Sequence, residues 1–223
     1  MIIIDMLLFL LLIQVAGSAT ECTPRPHDVT NPSPEKDPRA PDMFHVSWGV
    51  VGDSADSSSA SRIVLEVTRA WSPLGVDRFY QLILDNYYDC NGFFRVVPDF
   101  VVQFGIAAQP EETKKWNTAI PDDPVTQSNL PGYVSFATAG PNTRTTQLFI
   151  NTANNSQLDS QGFSPFALVI SGMETVYDMY NPTPGNTNGI PQGAYTLGGN
   201  SWLLTNYPNV TLIAANGELR LKD

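Results

Sequence analysis

Histidine, cysteine and positive charge are all scarce in this chain of 223 residues. Two histidines, His27 and His45, and two cysteines, Cys22 and Cys90, are the whole supply. A zinc centre of His and Cys needs three or four such ligands close together, and these are scattered. Ser-His-Asp and Cys-His chemistry needs a base beside its nucleophile, and neither histidine stands in such a motif. Lys and Arg number 12 against 22 Asp and Glu, a formal charge of -10. With no basic block, the chain lacks the phosphate-binding footprint of a nucleic-acid partner. Any catalysis is therefore expected to run without histidine or metal. What is present, 42% hydrophobic and 10% aromatic residues, suits one globular domain with a sizeable core.

The chain opens on MIIIDMLLFLLLIQVAGSA (1–19), an apolar run followed by small residues. That layout fits a secretory signal cleaved after Gly17 or Ala19. The start has no Lys or Arg and carries Asp5, so an uncleaved membrane anchor and a buried helix stay open as readings. A secretory address is expected: extracellular, endomembrane lumen, or periplasm in a bacterium. Membrane contact is expected only if the leader is retained. Residues 20–42 contain Pro24, Pro26, Pro32, Pro34, Pro38 and Pro41. Such a stretch reads as an extended linker with little to bury, and it holds His27. The domain is expected over 43–216, with a tail at 217–223.

Within the domain, MFHVSWGVV (43–51) alternates, placing Phe44, Val46, Trp48 and Val50 on one face and His45 on the other. A polar loop and RIVLEVT (62–68) complete a hairpin. Ser72 reads as an N-cap before Pro73, and Val76, Phe79, Tyr80, Ile83 and Tyr87 recur at helical spacing over 73–88. Further strand-like runs are 93–97, 100–105, 133–138, 146–151, 166–171 and 209–214. A short helix is predicted at 172–180, and 182–200 reads as a loop rich in Gly, Pro and Asn. Short strands without βαβ alternation indicate an antiparallel sheet or closed barrel.

Polar side chains stand among apolar ones on single strand faces. A period of two groups Phe93, Arg95 and Val97; then Val101, Gln103 and Gly105; then Gln147, Phe149 and Asn151. An unpaired buried guanidinium is very costly, so these residues do not suit a barrel interior. They suit an outer apolar groove with a few fixed donors. An ordinary surface, with Arg95 lying over apolar neighbours, fits the same pattern.

Three segments carry a resemblance. FFRVVPDFVVQFG (93–105) resembles the F-H-R-V-I-P-x-F-x-x-Q-x-G signature of cyclophilins, the peptidyl-prolyl cis-trans isomerases. FATAGPNTRTTQLFINT (136–152) and LDSQGFSPFALVISGMETV (158–176) are similar to the segments that follow it, in the same order. The resemblance runs from about Val46 to Ile213 and is nearest to secreted or bacterial-like members. It implies a mainly β fold, an eight-stranded antiparallel barrel capped by two α-helices. It implies that Arg95 is catalytic, with Gln103 and Gln147 bracing it and Gln147 able to hold the guanidinium in plane. It places Phe100, Val101, Phe149 and Leu158 in a proline pocket and Gln103 and Gln147 against the substrate backbone. Ala137 and Thr138 fall on the strand that pairs with the peptide, and Phe163 on one flank of the pocket. The implied partners are proline-containing peptides or folding clients, with no cofactor and a monomeric chain.

Such a reaction breaks no bond. A prolyl amide resists rotation by about 18–20 kcal/mol because its C–N bond is partly double. In the twisted state the nitrogen lone pair is freed, and a guanidinium beside it favours that state over both planar ones. The alternative is a proline-peptide binding module with little turnover; a structural barrel with an incidental pocket is a third reading. The arm at 23–42 is a candidate occupant of its own or a neighbour's groove.

Departures from the family pattern bear on activity level. Phe94 replaces the usual histidine and is expected to face away from Arg95. Gln157 replaces a tryptophan associated with cyclosporin binding, Leu148 replaces a phenylalanine, and 161–166 is one residue longer. The adjacent acids Glu111–Glu112 and Asp122–Asp123 read as solvated loop charges rather than a glycosidase pair. Asn154-Asn155-Ser156 and Asn209-Val210-Thr211 are glycosylation sequons in a eukaryotic secretory route. Cys22 and Cys90 could form a bridge across a 68-residue interval, remain free, or pair with another chain.

Overall fold

The computed structural model describes residues 22–26, 39–52 and 61–221. The leader at 1–19, His27, most of the Pro-rich segment and most of the polar loop after Gly52 lie outside the described residues.

The hairpin forms as its alternation requires. β1 (Met43–Val51) pairs antiparallel with β2 (Arg62–Thr68) in a register that sets Val46 opposite Leu65 and His45 opposite Glu66. Phe44, Val46 and Trp48 meet Ile63, Leu65 and Val67 in the core, while His45 Nε2 lies 3.1 Å from Glu66 Oε2 on the outer face. Helix α1 (Pro73–Leu84) follows, with Pro73 at its first position, and buries Val76, Phe79 and Leu82. It stops short of 88 because Asn86 adopts a left-handed φ of 55°. Ser72 holds the N-cap position, but its side chain makes no capping hydrogen bond. Asp123 accepts the Leu74 and Gly75 amides at 3.1 and 2.8 Å and the Ser72 hydroxyl at 2.6 Å. Asp123 is buried against Arg144 and is thus a helix cap, not a solvated loop acid.

The remaining strands are β3 (Arg95–Val97), β4 (Val101–Phe104), β5 (Tyr133–Phe136), β6 (Leu148–Asn151), β7 (Pro165–Ser171), β8 (Leu212–Ile213) and β9 (Glu218–Leu221). The sheet runs β3-β4-β6-β5-β7-β2-β1-β8, all pairs antiparallel. Just before β3 the chain meets β8 again: Phe93 N donates to Thr211 O and Ile213 N to Asn91 O, each at 2.9 Å. That contact joins the two ends of the eight-strand path. The apolar inner faces fill one continuous core of Trp48, Phe79, Tyr88, Phe104, Phe136 and Phe166 among others.

Four α-helices stand among the described residues, two more than expected. α3 (Met173–Tyr177) lies in the predicted 172–180 stretch. α2 (Pro110–Lys115) and α4 (Gln192–Asn206) were not legible. The Gly/Pro/Asn-rich stretch read as a loop is therefore half helix. α4 buries only Tyr195, Gly199 and Leu203, a stripe too narrow to announce itself in sequence. It kinks at Gly199, where a side chain would stand 2.4 Å from the Ala108 carbonyl oxygen. The segment expected as a tail contains β9, which pairs with β1 from Phe44↔Leu221 to Ser47↔Glu218.

The Pro-rich segment also departs from a bare linker where it is described. Cys22 is bonded to Cys90, with Cα atoms 5.6 Å apart. Arg25 gives Asp89 two side-chain hydrogen bonds, at 2.7 and 2.8 Å, and Ala40 lies in the core.

Candidate active site

Strand register assembles the site. Arg95 pairs with Gln103 across β3 and β4, and Gln103 pairs with Phe149 across β4 and β6. Directly paired residues project to the same face. The three therefore stand in a row across the outside of the sheet, as an outer groove requires. Phe93 does not join them. It packs in the main core, because 90–93 still pairs with β8 and the alternation restarts only at Arg95. Phe94 is fully buried against Tyr195 in a separate cluster, away from the groove.

One wall is apolar. Val101, Phe149 and Leu158 form a compact cluster, with Phe100, Ala137 and Phe163 packed on it half-buried. The Phe163 ring meets that of Phe149 edge-on, centroids 5.6 Å apart. So the lengthened 161–166 segment delivers an aromatic flank. Leu158 rides on a 3-10 turn, Ser156–Gln161. Buried asparagines hold this wall: Asn155 Nδ2 donates to Phe100 O at 2.8 Å, and Asn129 Nδ2 donates to Phe163 O at 2.9 Å. Nothing in their sequence spacing marked them. Backbone pairing extends β5 past its end, as Ala137 N donates to Gln147 O at 2.9 Å. Thr138 is taken up in a local turn with Gly140 and Thr143.

The other wall is a polar chain. Arg95 Nη1 donates to Gln103 Oε1 at 3.0 Å, and Gln103 Nε2 donates to Gln147 Oε1 at 2.9 Å. Gln103, not Gln147, therefore touches the guanidinium; Gln147 acts one bond further back. Arg95 Nε donates to the Thr187 carbonyl at 2.7 Å, a partner in a stretch that looked featureless in sequence. The guanidinium also lies 5.6 Å from the Phe100 ring centroid. Burial lowers its pKa from the ordinary arginine value. Among the described residues no acidic side chain pairs with it, so the cation stays available to an incoming electron pair.

Among the described residues, no group of three or more His, Cys, Asp or Glu could hold a metal ion. His45 stays on the β1–β2 hairpin, paired with Glu66. Gln157 Nε2 donates to Asn155 Oδ1 at 3.5 Å and brings no aromatic ring to its position.

Known proteins share both sequence and fold. Residues 54–194 match the family described as cyclophilin type peptidyl-prolyl cis-trans isomerase/CLD. A peptidyl-prolyl cis-trans isomerase of Schizosaccharomyces pombe is 36% identical over 123 residues, covering 52% of this chain and 77% of that protein. One from Acinetobacter baylyi is 28% identical over 141 residues, covering 60% and 74% respectively. A crystal structure of a Cryptosporidium parvum cyclophilin type peptidyl-prolyl cis-trans isomerase superposes with TM-score 0.56 at 18% identity. It covers 81% of this chain and 99% of that one, a likeness of fold. The chain belongs to the cyclophilin-type peptidyl-prolyl cis-trans isomerase family.

Proposed function

We propose that this chain accelerates cis-trans rotation of Xaa-Pro bonds, with Arg95 stabilising the twisted amide. The observation that carries the assignment is the row Arg95–Gln103–Phe149, which puts an unneutralised cation beside an apolar pocket. A proline ring seated on Val101, Phe149, Leu158 and Phe163 removes apolar surface from water and fixes the ring. Rotation then turns the carbonyl side of the bond while the ring stays put. As the amide twists, its nitrogen loses resonance and gains a localised lone pair. An Arg95 N–H aimed there is worth more in that state than in either planar state, which is the condition for catalysis. The pocket keeps competing water away. Ala137 and Gln147 offer backbone and amide groups to an extended peptide.

The test is exchange spectroscopy on an Xaa-Pro peptide with catalytic amounts of the protein. Faster cis-trans exchange supports the reading. Binding with unchanged exchange identifies a peptide-binding module instead.

We infer a secretory route for the mature chain, acting as a monomer on proline-containing segments of folding clients. The leader-like composition of 1–19 and the cysteine pair Cys22–Cys90, at bonding distance, support this reading. Asn154 and Asn209 are exposed, as acceptors of a glycan must be. N-terminal sequencing and mass measurement before and after deglycosylation of the secreted protein test the address and the modification.

A further inference from the structure

The segment 183–190 is built against Arg95 at several points. The Thr187 carbonyl accepts the Arg95 Nε–H at 2.7 Å. Ile190 N donates to Phe94 O at 3.1 Å, fixing the segment to the residue before Arg95. Between them Gly189 sits at φ +76°; a Cβ there would stand 2.7 Å from Arg95 Cβ and 2.8 Å from Phe94 O. That position therefore needs glycine on both conformational and steric grounds. Asn186 braces the turn from inside. Its Nδ2 donates to Gly189 O at 3.1 Å and its Oδ1 accepts Asn188 N at 3.0 Å.

Helix α4 anchors this segment to both strands of the site. The Tyr195 hydroxyl accepts the Gly92 amide at 3.0 Å and donates to Ile106 O at 3.2 Å. Gly92 lies just before β3 and Ile106 just after β4. Asn200 Nδ2 donates to Cys90 O at 2.9 Å. Loop and helix thus move with the strand pair that carries Arg95 and Gln103.

We propose that Thr187, through its main-chain carbonyl, and Gly189, through its missing side chain, are positioning residues that lock the Arg95 guanidinium for isomerisation. The proposal rests on the Arg95 reading given above. An arginine side chain has many rotamers, and a group that must meet one lone pair gains from being ordered beforehand. Gln103 fixes one end of the guanidinium plane and the Thr187 carbonyl the other. Both partners are neutral oxygens. A carboxylate at either place would hold the cation in competition with the prolyl nitrogen; carbonyl oxygens orient it and leave its charge for the substrate.

The test compares variants by exchange spectroscopy, which gives peptide affinity and the rate on the enzyme separately. Gly189→Ala is expected to lower the on-enzyme exchange rate about 10- to 100-fold, the scale of a small misplacement of a reacting group, with peptide affinity within about twofold. Thr187→Ala keeps the carbonyl and is expected to change neither. In an Arg95→Ala background, Gly189→Ala is expected to cost nothing further, since there is no guanidinium to hold. The Arg95 Nε–H resonance is expected in the wild type and in Thr187→Ala, and lost in Gly189→Ala. Asn186→Ala loosens the turn without adding an atom, and is expected to show the same pattern should Gly189→Ala not fold. Equal losses in both Arg95 backgrounds, or no loss in the Arg95 background, overturn the proposal. An Arg95→Ala protein as fast as wild type overturns the underlying reading instead.

Discussion

Gln103 Oε1 accepts a hydrogen bond from Arg95 Nη1 at 3.0 Å, and the two residues are direct partners across β3 and β4. The guanidinium is thus oriented from the neighbouring strand, and Gln147 reaches it only through Gln103 at 2.9 Å. Removing the nearer amide should cost more. Gln103→Ala is expected to lower the isomerisation rate about tenfold, the scale of one charge-assisted hydrogen bond. Gln147→Ala is expected to cost less in rate and more in peptide affinity. The double variant should fall short of the product of the two, because both act through one chain.

The apolar wall gives a different signature. Phe163 packs edge-on against Phe149 at 5.6 Å and adds area to the pocket without touching Arg95. Phe163→Ala is expected to weaken peptide binding about 2- to 10-fold, the worth of one aromatic pair. The exchange rate at saturation should stay close to wild type. A titration of the peptide against both proteins checks this.

The N-terminal segment should matter for stability rather than rate. Cys22–Cys90 closes a 68-residue interval, worth about 4 kcal/mol in the chain-entropy account. The Arg25 guanidinium covers Asp89, whose side chain is 3% exposed. Cys22→Ser with Cys90→Ser is expected to lower the denaturation midpoint strongly while leaving the rate of the folded fraction unchanged. Arg25→Ala removes the guanidinium from a buried carboxylate, leaving it the residue-25 amide at 3.0 Å, and is expected to cost about 1–3 kcal/mol. Urea unfolding with and without reductant measures both.

Two pH responses are expected, and they differ. Among the described residues the groove holds no side chain that titrates near neutrality, so the isomerisation rate should be flat between about pH 6 and 9. Stability should respond in acid. Burial alone would raise the Asp123 pKa, but hydrogen bonds from Ser72, Gly75 and Leu74 and the charge of Arg144 outweigh it and hold it below the usual value. A depressed carboxyl contributes stability above its unfolded pKa of about 3.9, and loses it as pH falls through the folded value. Asp123→Asn should therefore be destabilising at pH 7 and lose that deficit progressively as acid protonates the wild type. Paired melting curves across pH measure the convergence.

The pattern of Phe44, Val46 and Trp48 on one face was legible because one face of a strand must be buried, and period two records it. Arg95, Gln103 and Phe149 were legible on their own strand faces for the same reason, but an ordinary surface also fitted that pattern, and only the resemblance of the long motif singled them out; their cross-strand pairing appears with the fold. The hydrogen bonds between them were not, because an amide side chain chooses its partner only once three strands are side by side. Helix α4 escaped because only Tyr195, Gly199 and Leu203 face inward, and its kink uses a glycine that in sequence argues for a loop. The Thr187 carbonyl escaped for a deeper reason: main-chain atoms are the same at every residue, so their roles leave no mark in composition. Asp123 was misplaced by its acidic neighbour Asp122, since two adjacent acids look solvated until a helix end needs one of them.

Arg95 is expected to work on the twisted amide and not on binding. The measurement is cis-trans exchange of a saturating Xaa-Pro peptide on wild type and on Arg95→Ala, with affinity measured in the same samples. The rate on Arg95→Ala is expected to be lower by about 100- to 1000-fold, the scale of removing one transition-state donor, with affinity little changed. An Arg95→Ala protein that exchanges the bound peptide as fast as wild type would contradict that role.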